Sequence, residues 1–306
     1  MVRYLKGFID TPPTIFIAAS NAREEEKELA DIVCTGIDDQ NKINQAFDLL
    51  PSTGGRVRLS EGNFNLSNSI TISKSNIWLQ GSGAGTVIQG AISNAYIAIT
   101  AGVQYVKISD LQIDGSLQTQ GHGIYFIGSS SANINKCMVS NCWIHNCNNS
   151  GIYLYYTNYS TITKNILEAN GYFGIGLTAS SIANKIIGNS CLSNGHVGID
   201  VDSNSVNNTI IGNVCIGNSV GGIWLSSSGF NIVSKNIMAN NGYIDIWVGN
   251  SEGSIITNNV TVSPSATYNI KEDTGSNYNL FAENRCETGK ISVTGVNSIA
   301  VYNIQV

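Results

Sequence analysis

The sequence predicts an all-β protein: a single-stranded right-handed parallel β-helix, a solenoid, with a short capping helix near its N-terminus. Three observations predict it. First, five segments open alike, as Gly, aliphatic, variable, apolar: Gly123-Ile124-Tyr125-Phe126, Gly151-Ile152-Tyr153-Leu154, Gly174-Ile175-Gly176-Leu177, Gly198-Ile199-Asp200-Val201 and Gly222-Ile223-Trp224-Leu225. Second, Asn141, Asn165, Asn189, Asn213, Asn236 and Asn258 recur at intervals of 24, 24, 24, 23 and 22. Asn146, Asn170, Asn194, Asn218 and Asn241 follow the first five of them by five residues. Third, an apolar residue stands three places before each member of the first Asn series: Met138, Ile162, Ile186, Ile210, Val233 and Ile255. A repeat of this length means a stack of supersecondary units. No helical periodicity runs through it, which excludes ankyrin and tetratricopeptide units, and the Leu frame of leucine-rich repeats is absent. Parallel coils remain, with rungs at about 4.8 Å, apolar columns inside and Asn at turns, where it tolerates left-handed backbone and can bond the next coil.

Composition agrees with one elongated unit. The chain has 306 residues, 42% hydrophobic and 12% charged, with 32 Gly and only four Pro. Few prolines suit strands that need every N–H. A solenoid grows along one axis and need not divide at this length. The expected organisation is an entry module over 1–65, the β-helix over 66–290 and closing strands over 291–306, all one continuous domain. A net charge of −5 argues against a nucleic-acid partner. No run of 18 apolar residues occurs, so no membrane span is expected. The N-terminal stretch lacks the apolar core of a signal peptide. Of seven cysteines, Cys191, Cys215 and Cys286 share one repeat phase and are expected as stacked inward thiols. Cys137, Cys142 and Cys147 lack paired zinc-site spacing, and no metal site is assigned to them.

In chain order, residues 1–13 read as an irregular lead-in and Thr14 to Ala19 as a buried strand. Arg23 to Leu29 reads as a solvated helical turn. Ile43, Ala46, Phe47 and Leu50 fall on one face of a short helix, with Asp38 or Asp39 as N-cap and Pro51 at its end. That helix is placed to cover the open first coil, whose unpaired strands would otherwise invite aggregation. Val57, Leu59, Phe64 and Leu66 alternate as strand residues do.

This entry stretch resembles a known module. Asp38-Asp39-Gln40, Ile43-Asn44-Gln45-Ala46-Phe47, Gly54-Gly55-Arg56-Val57 and Glu61-Gly62-Asn63-Phe64 resemble the start of the pectate-lyase superfamily (pectin lyase fold), in the form found in phage tailspikes, polygalacturonases and uronan epimerases. The likeness covers residues from about 30 to 260. It implies the fold, a polysaccharide ligand and an extracellular or virion-associated setting. With the uncharged tail from Ile291 to Val306, it also implies a homotrimer. It does not select an activity, because the superfamily holds hydrolases, lyases, epimerases and inert adhesins. Gly121-His122-Gly123 resembles the Gly-His-Gly of polygalacturonases but precedes the aspartates. The Asn-Thr-Asp and Arg-Ile-Lys elements of that family are missing, as is the Asp-Pro-His of mannuronan epimerases.

Chemistry is expected on the outward positions of the Gly-Ile-x-Leu-x rungs. Stacked by coil, the first outward column reads Tyr125, Tyr153, Gly176, Asp200, Trp224, Asp245, Lys271. The second reads Ile127, Tyr155, Thr178, Asp202, Ser226, Trp247, Asp273. Tyr125, Tyr153, Tyr155, Trp224, Trp247 and Lys271 are the candidate substrate-binding residues, since aromatic side chains on an outer sheet face can take the apolar faces of sugar rings. Asp200 and Asp202 leave one rung about 7 Å apart, and inverting glycosidases hold their carboxylates roughly 6.5–9.5 Å apart. Each close carboxylate raises the pKa of the other, which makes a candidate acid. Asp245 is expected two coils on in the Asp200 column, roughly 10 Å away. His196, two residues before Gly198, is a candidate proton shuttle. No cofactor is implied, although these carboxylates could also bind calcium. The expected function is polysaccharide binding with cleavage of the glycosidic bond at Asp200 and Asp202. One rival is a uronan lyase or C5-epimerase, with Tyr153, Tyr155 or His196 as base. The other is a non-catalytic adhesive module of a virion.

Overall fold

The computed structural model describes residues 12–305. Most of the expected lead-in, residues 1–11, lies outside the described residues. Three parallel sheets run along one axis with 13, 11 and 10 strands, and a two-stranded patch joins them. They are called A, B and C here, in the order the chain visits them. One coil shows the pattern: Lys185–Ile187 in sheet A, Ser190–Leu192 in B, Val197–Val201 in C. Every recorded strand pair is parallel, as between Ile175 and Ile199 or Ile199 and Ile223.

The short strands of sheets A and B turn one residue inward each, flanked by two that face out. Ile162, Ile186, Ile210 and Val233 stack in A, and Leu167, Cys191, Cys215 and Met238 in B, all fully buried. In sheet C, Ile152, Ile175, Ile199, Ile223 and Ile246 form one inner column, with Leu154, Leu177, Val201, Leu225 and Val248 beside it. An apolar side chain buried this way contributes about 1.5–3 kcal/mol.

Two tight corners hold the sheets at their angles. At the A–B corner a residue with left-handed backbone, such as Lys164, Gly188 or Gly212, precedes a buried Asn. The N–H of Asn165, Asn189, Asn213 and Asn236 each donates to the side-chain oxygen of the next Asn, at 2.8–3.0 Å. The same amides donate to inner-strand carbonyls, as Asn189 Nδ2 does to Ile162 O at 2.9 Å. Asn170, Asn194, Asn218 and Asn241 repeat this at the B–C corner. The first and last members expected from spacing are each one residue off. Asn141, Asn146 and Asn258 are the left-handed residues, and Cys142, Cys147 and Asn259 take the ladder positions. Likewise Met138 and Ile255 are exposed, while Val139 and Ile256 fill the core. Because side chains alternate sides, a slip of one residue exchanges inside for outside. Cys137, Cys142 and Cys147 thus head three polar ladders, their N–H groups donating to Ser160 Oγ, Asn165 Oδ1 and Asn170 Oδ1.

Helix α1 spans Glu24–Leu29 and α2 spans Asp39–Leu49. Ile43, Ala46 and Phe47 of α2 are buried over the first coil. Asp38 precedes the helix in left-handed conformation and makes no side-chain cap. Asp39 is buried and accepts from the N–H of Gly36 and of Asn65, both at 2.9 Å, which ties the helix to the coil beneath. At the other end Lys74 Nζ donates to the carbonyls of Phe47 and Leu50, both at 2.9 Å. A cation there also opposes the negative end of the helix dipole.

Candidate functional site

Sheet C carries the wall. Its outward column in register is Tyr125, Tyr153, Gly176, Asp200, Trp224, Trp247, Lys271. Trp247 therefore belongs to the first column, and Gly249 stands opposite Ser226 in the second. Asp245 does not face out. Ile246 pairs with Ile223, so Asp245 falls in the column of the repeat glycines, after Gly198 and Gly222. It is fully buried and accepts from Asn241 Nδ2 at 2.7 Å, Ser263 Oγ at 2.6 Å and Asn269 Nδ2 at 2.9 Å. Burial raises its pKa and those three bonds oppose the rise. Asp245 ties a B–C corner to sheet C and is withdrawn from the catalytic candidates.

Asp200 does stand in the outward column, yet its relative exposure is only 6%. Gly176 explains part of this. A side chain at 176 would meet Tyr153 Cδ2 at 2.7 Å and Phe173 Cδ2 at 2.9 Å, so its absence lets those two rings lie over the rung next to Asp200. On the other side is the Trp224 indole, folded over Gly221, with Nε1 donating to Ile244 O at 3.3 Å. The Asp200 carboxyl sits well above the ordinary aspartate range. Burial is the main cause and the negative charge of Asp202 the second, and no donor among the described residues opposes them. Asp202 is half-buried, and one of its carboxylate oxygens is buried with no hydrogen-bond partner among the described residues. The Tyr153 phenol is pushed up to about 12 by burial and then by Asp202, with Asp200 adding less.

The rings form two connected runs. Toward the N-terminus, His122 stacks on Tyr153 at 4.6 Å and 8°, and touches Tyr125 at 4.8 Å. Burial lowers the His122 pKa to about 4, and its Nδ1 accepts from the N–H of Ser150 at 3.3 Å. Toward the C-terminus, Tyr172 and Phe173 meet His196, which meets Trp224 edge-on at 5.5 Å, and Trp224 meets Trp247 at 5.0 Å. His196 is set among rings, its pKa lowered by burial and its Nδ1 buried without a partner among the described residues. Tyr155 lies in the second column, edge-on to Tyr156 at 5.0 Å. Trp247 Nε1 donates to Asp273 at 2.9 Å, and Lys271 pairs with the same carboxylate at 3.0 Å. A hollow of about 430 Å³ opens at the N-terminal end of the wall, beside His122, Tyr125, Asn94 and Gln120. No group of three or more His, Cys, Asp or Glu side chains converges as metal ligands do among the described residues.

Sequence reasoning did not select His122, Tyr172 or Phe173. A signal existed for one of them. Tyr172, like His196, stands two residues before a repeat glycine, whereas His122 and Phe173 stand one residue before theirs. Phe173 occupies a position that holds Val197 in the next coil, so phase alone marks it as core.

The right-handed beta helix region model matches this chain over residues 40–189 and 95–261, and the chain belongs to that family. No curated protein matches the sequence. Several solved structures share the fold. The A-module of the mannuronan C-5 epimerase AlgE6 from Azotobacter vinelandii is 17% identical, covering 88% of this chain and 95% of that one at a TM-score of 0.60. An alginate lyase from Paenibacillus sp. str. FPU-7 is 15% identical, covering 95% and 99% at 0.69. The Dettilon tailspike protein gp208 is 17% identical, covering 83% and 64% at 0.54. At these identities each likeness is one of fold.

Proposed function

We propose that the sheet C wall binds a polysaccharide along the helix axis and that Asp200 and Asp202 cleave its glycosidic bond. The observation that carries this reading is the Asp200 carboxyl: buried, given no donor by any described residue, its pKa raised by burial and by Asp202, and flanked in register by Gly176, over which Tyr153 leans, and by Trp224. Asp200 gives its proton to the leaving glycosidic oxygen. Asp202 takes a proton from the water that bonds to the anomeric carbon as the carbon–oxygen bond breaks. The strand rise separates the two by about 7 Å, which leaves room for that water between carboxylate and sugar. Buried polar atoms are rarely left unpaired. The orphan atoms Asp202 Oδ1 and His196 Nδ1 are therefore places for the water and for sugar hydroxyls. A carbohydrate ligand is also supported by the similar folds of an epimerase, a lyase and a tailspike.

A uronan lyase or C5-epimerase is the second reading, favoured by the names of two of those structures. Tyr153 would then take the C5 proton. Its raised phenol is a poor base, and the wall cation Lys271 is already paired with Asp273, so hydrolysis is preferred. The setting proposed is extracellular or virion-associated, with a homotrimer as the assembly. A screen of neutral and acidic polysaccharides tests these readings. New reducing ends without unsaturation select the hydrolase, and unsaturated products select the lyase. Changed uronate stereochemistry selects the epimerase. Retention without turnover selects an adhesive module.

A further inference from the structure

Far from the wall, the N-terminal end of sheet A carries a surface of opposite sign. Its outward column begins Thr14, Arg56, Trp78, Lys107, with Phe16 and Arg58 alongside. Lys107 Nζ lies 4.1 Å from the Trp78 ring centre and Arg56 Cζ 5.3 Å from it. Arg58 lies over Phe16 at 4.7 Å. Lys136 Nζ donates to Tyr105 Oη at 3.0 Å. Among the described residues no carboxylate comes within 4.0 Å of any of these four cations, in a chain whose net charge is −5. Of these cations Lys107 lines a hollow of about 340 Å³, walled also by Pro12, Pro13, Gly55, Trp78 and Tyr105.

We propose that this face is a second glycan site, one that takes an acidic polysaccharide chain. The cations would meet carboxylates, and the Pro and Tyr walls would meet the apolar faces of the sugar rings. Rungs about 4.8 Å apart place Arg56 and Lys107 about 9.6 Å apart, comparable to the disaccharide repeat of an extended glycan. Ring contacts already restrain both side chains, so less ordering is lost on binding. The inference uses neither Asp200 nor Asp202, and it stands or falls apart from the hydrolase reading.

The test measures equilibrium binding of the full chain to polygalacturonate, to its methyl-esterified form and to single-stranded oligo-dT. Wild type should bind polygalacturonate better than the esterified chain, and should lose affinity between about 50 and 200 mM salt, as screening requires. Lys107→Gln with Lys136→Gln should weaken polygalacturonate binding about tenfold with thermal unfolding unchanged, while Lys164→Gln with Lys235→Gln, the same charge change at two exposed lysines further along the coil, leaves it as it was. Equal affinity of wild type and the Lys107, Lys136 double variant overturns the site. The same loss in the Lys164, Lys235 pair makes the response one of net charge and not of a site, and oligo-dT bound as tightly as polygalacturonate makes the patch a nucleic-acid surface; either overturns the proposal.

Discussion

Asp200 and Asp245 sit in almost the same words of sequence. Each follows an Ile and precedes an aliphatic residue, and the two are nearly two coils apart. The molecule treats them as opposites. Ile199 stacks on Ile223 and Ile223 on Ile246, so Asp200 points out where Asp245 takes the position of a repeat glycine. Asp245 collects three donors, whereas Asp200 has none and lies between rings. The face of a side chain is thus decided by which residue of the next coil it pairs with, and the tripeptide around it carries no such information. A buried carboxyl with donors is structure. One left without donors beside a second carboxylate keeps its proton to higher pH than a free aspartate does, and that is the shift an acid catalyst needs.

The largest expected difference is in turnover. Asp200→Asn keeps size and removes the acid, so product release from a confirmed substrate should fall by roughly 10²–10⁴-fold, and Asp202→Asn should do the same. Asp245→Asn should leave turnover per folded molecule unchanged. Full activity in Asp200→Asn would break the comparison and move the chemistry toward the Tyr125 end of the wall.

Stability should show the reverse order. Asp245→Ala strands the donors of Asn241, Ser263 and Asn269, and should cost about 2–4 kcal/mol in urea unfolding. Asp200→Ala strands none. A smaller effect belongs to the rings. Trp224→Ala should weaken glycan binding by about 1 kcal/mol, near fivefold, through loss of one platform, and titration calorimetry would read it.

Protonation sharpens the contrast further. The folded state holds the Asp200 proton more tightly than the unfolded chain does. Its contribution to stability is therefore complete below the ordinary aspartate value of about 3.9 and is lost as pH rises through the raised folded value. Asp200→Asn removes that loss. The variant should melt above wild type at neutral pH and alongside it in acid, by differential scanning calorimetry.

The fold was legible because Ile162, Ile186 and Ile210 and Asn165, Asn189 and Asn213 repeat in one phase, and only stacked coils satisfy both columns. The capping helix was legible from the spacing of Ile43, Ala46, Phe47 and Leu50. Legibility failed where coil length changes. The segment from Asn241 to Trp247 breaks the Gly-Ile opening, and aligning it on the wrong Ile moved Asp245 outward and Trp247 into the wrong column. Burial of Asp200 could not be read at all. It depends on a ring from the coil two below leaning across Gly176, a contact that no linear pattern encodes.

The most direct test is to titrate the Asp200 carboxyl carbon by ¹³C NMR, assigned with Asp200→Asn. The midpoint should lie above the ordinary aspartate value of about 3.9 and should drop when Asp202→Asn removes the neighbouring charge. A midpoint at the ordinary value, unmoved by Asp202→Asn, would contradict the assignment of Asp200 as the protonated member of an acid–base pair.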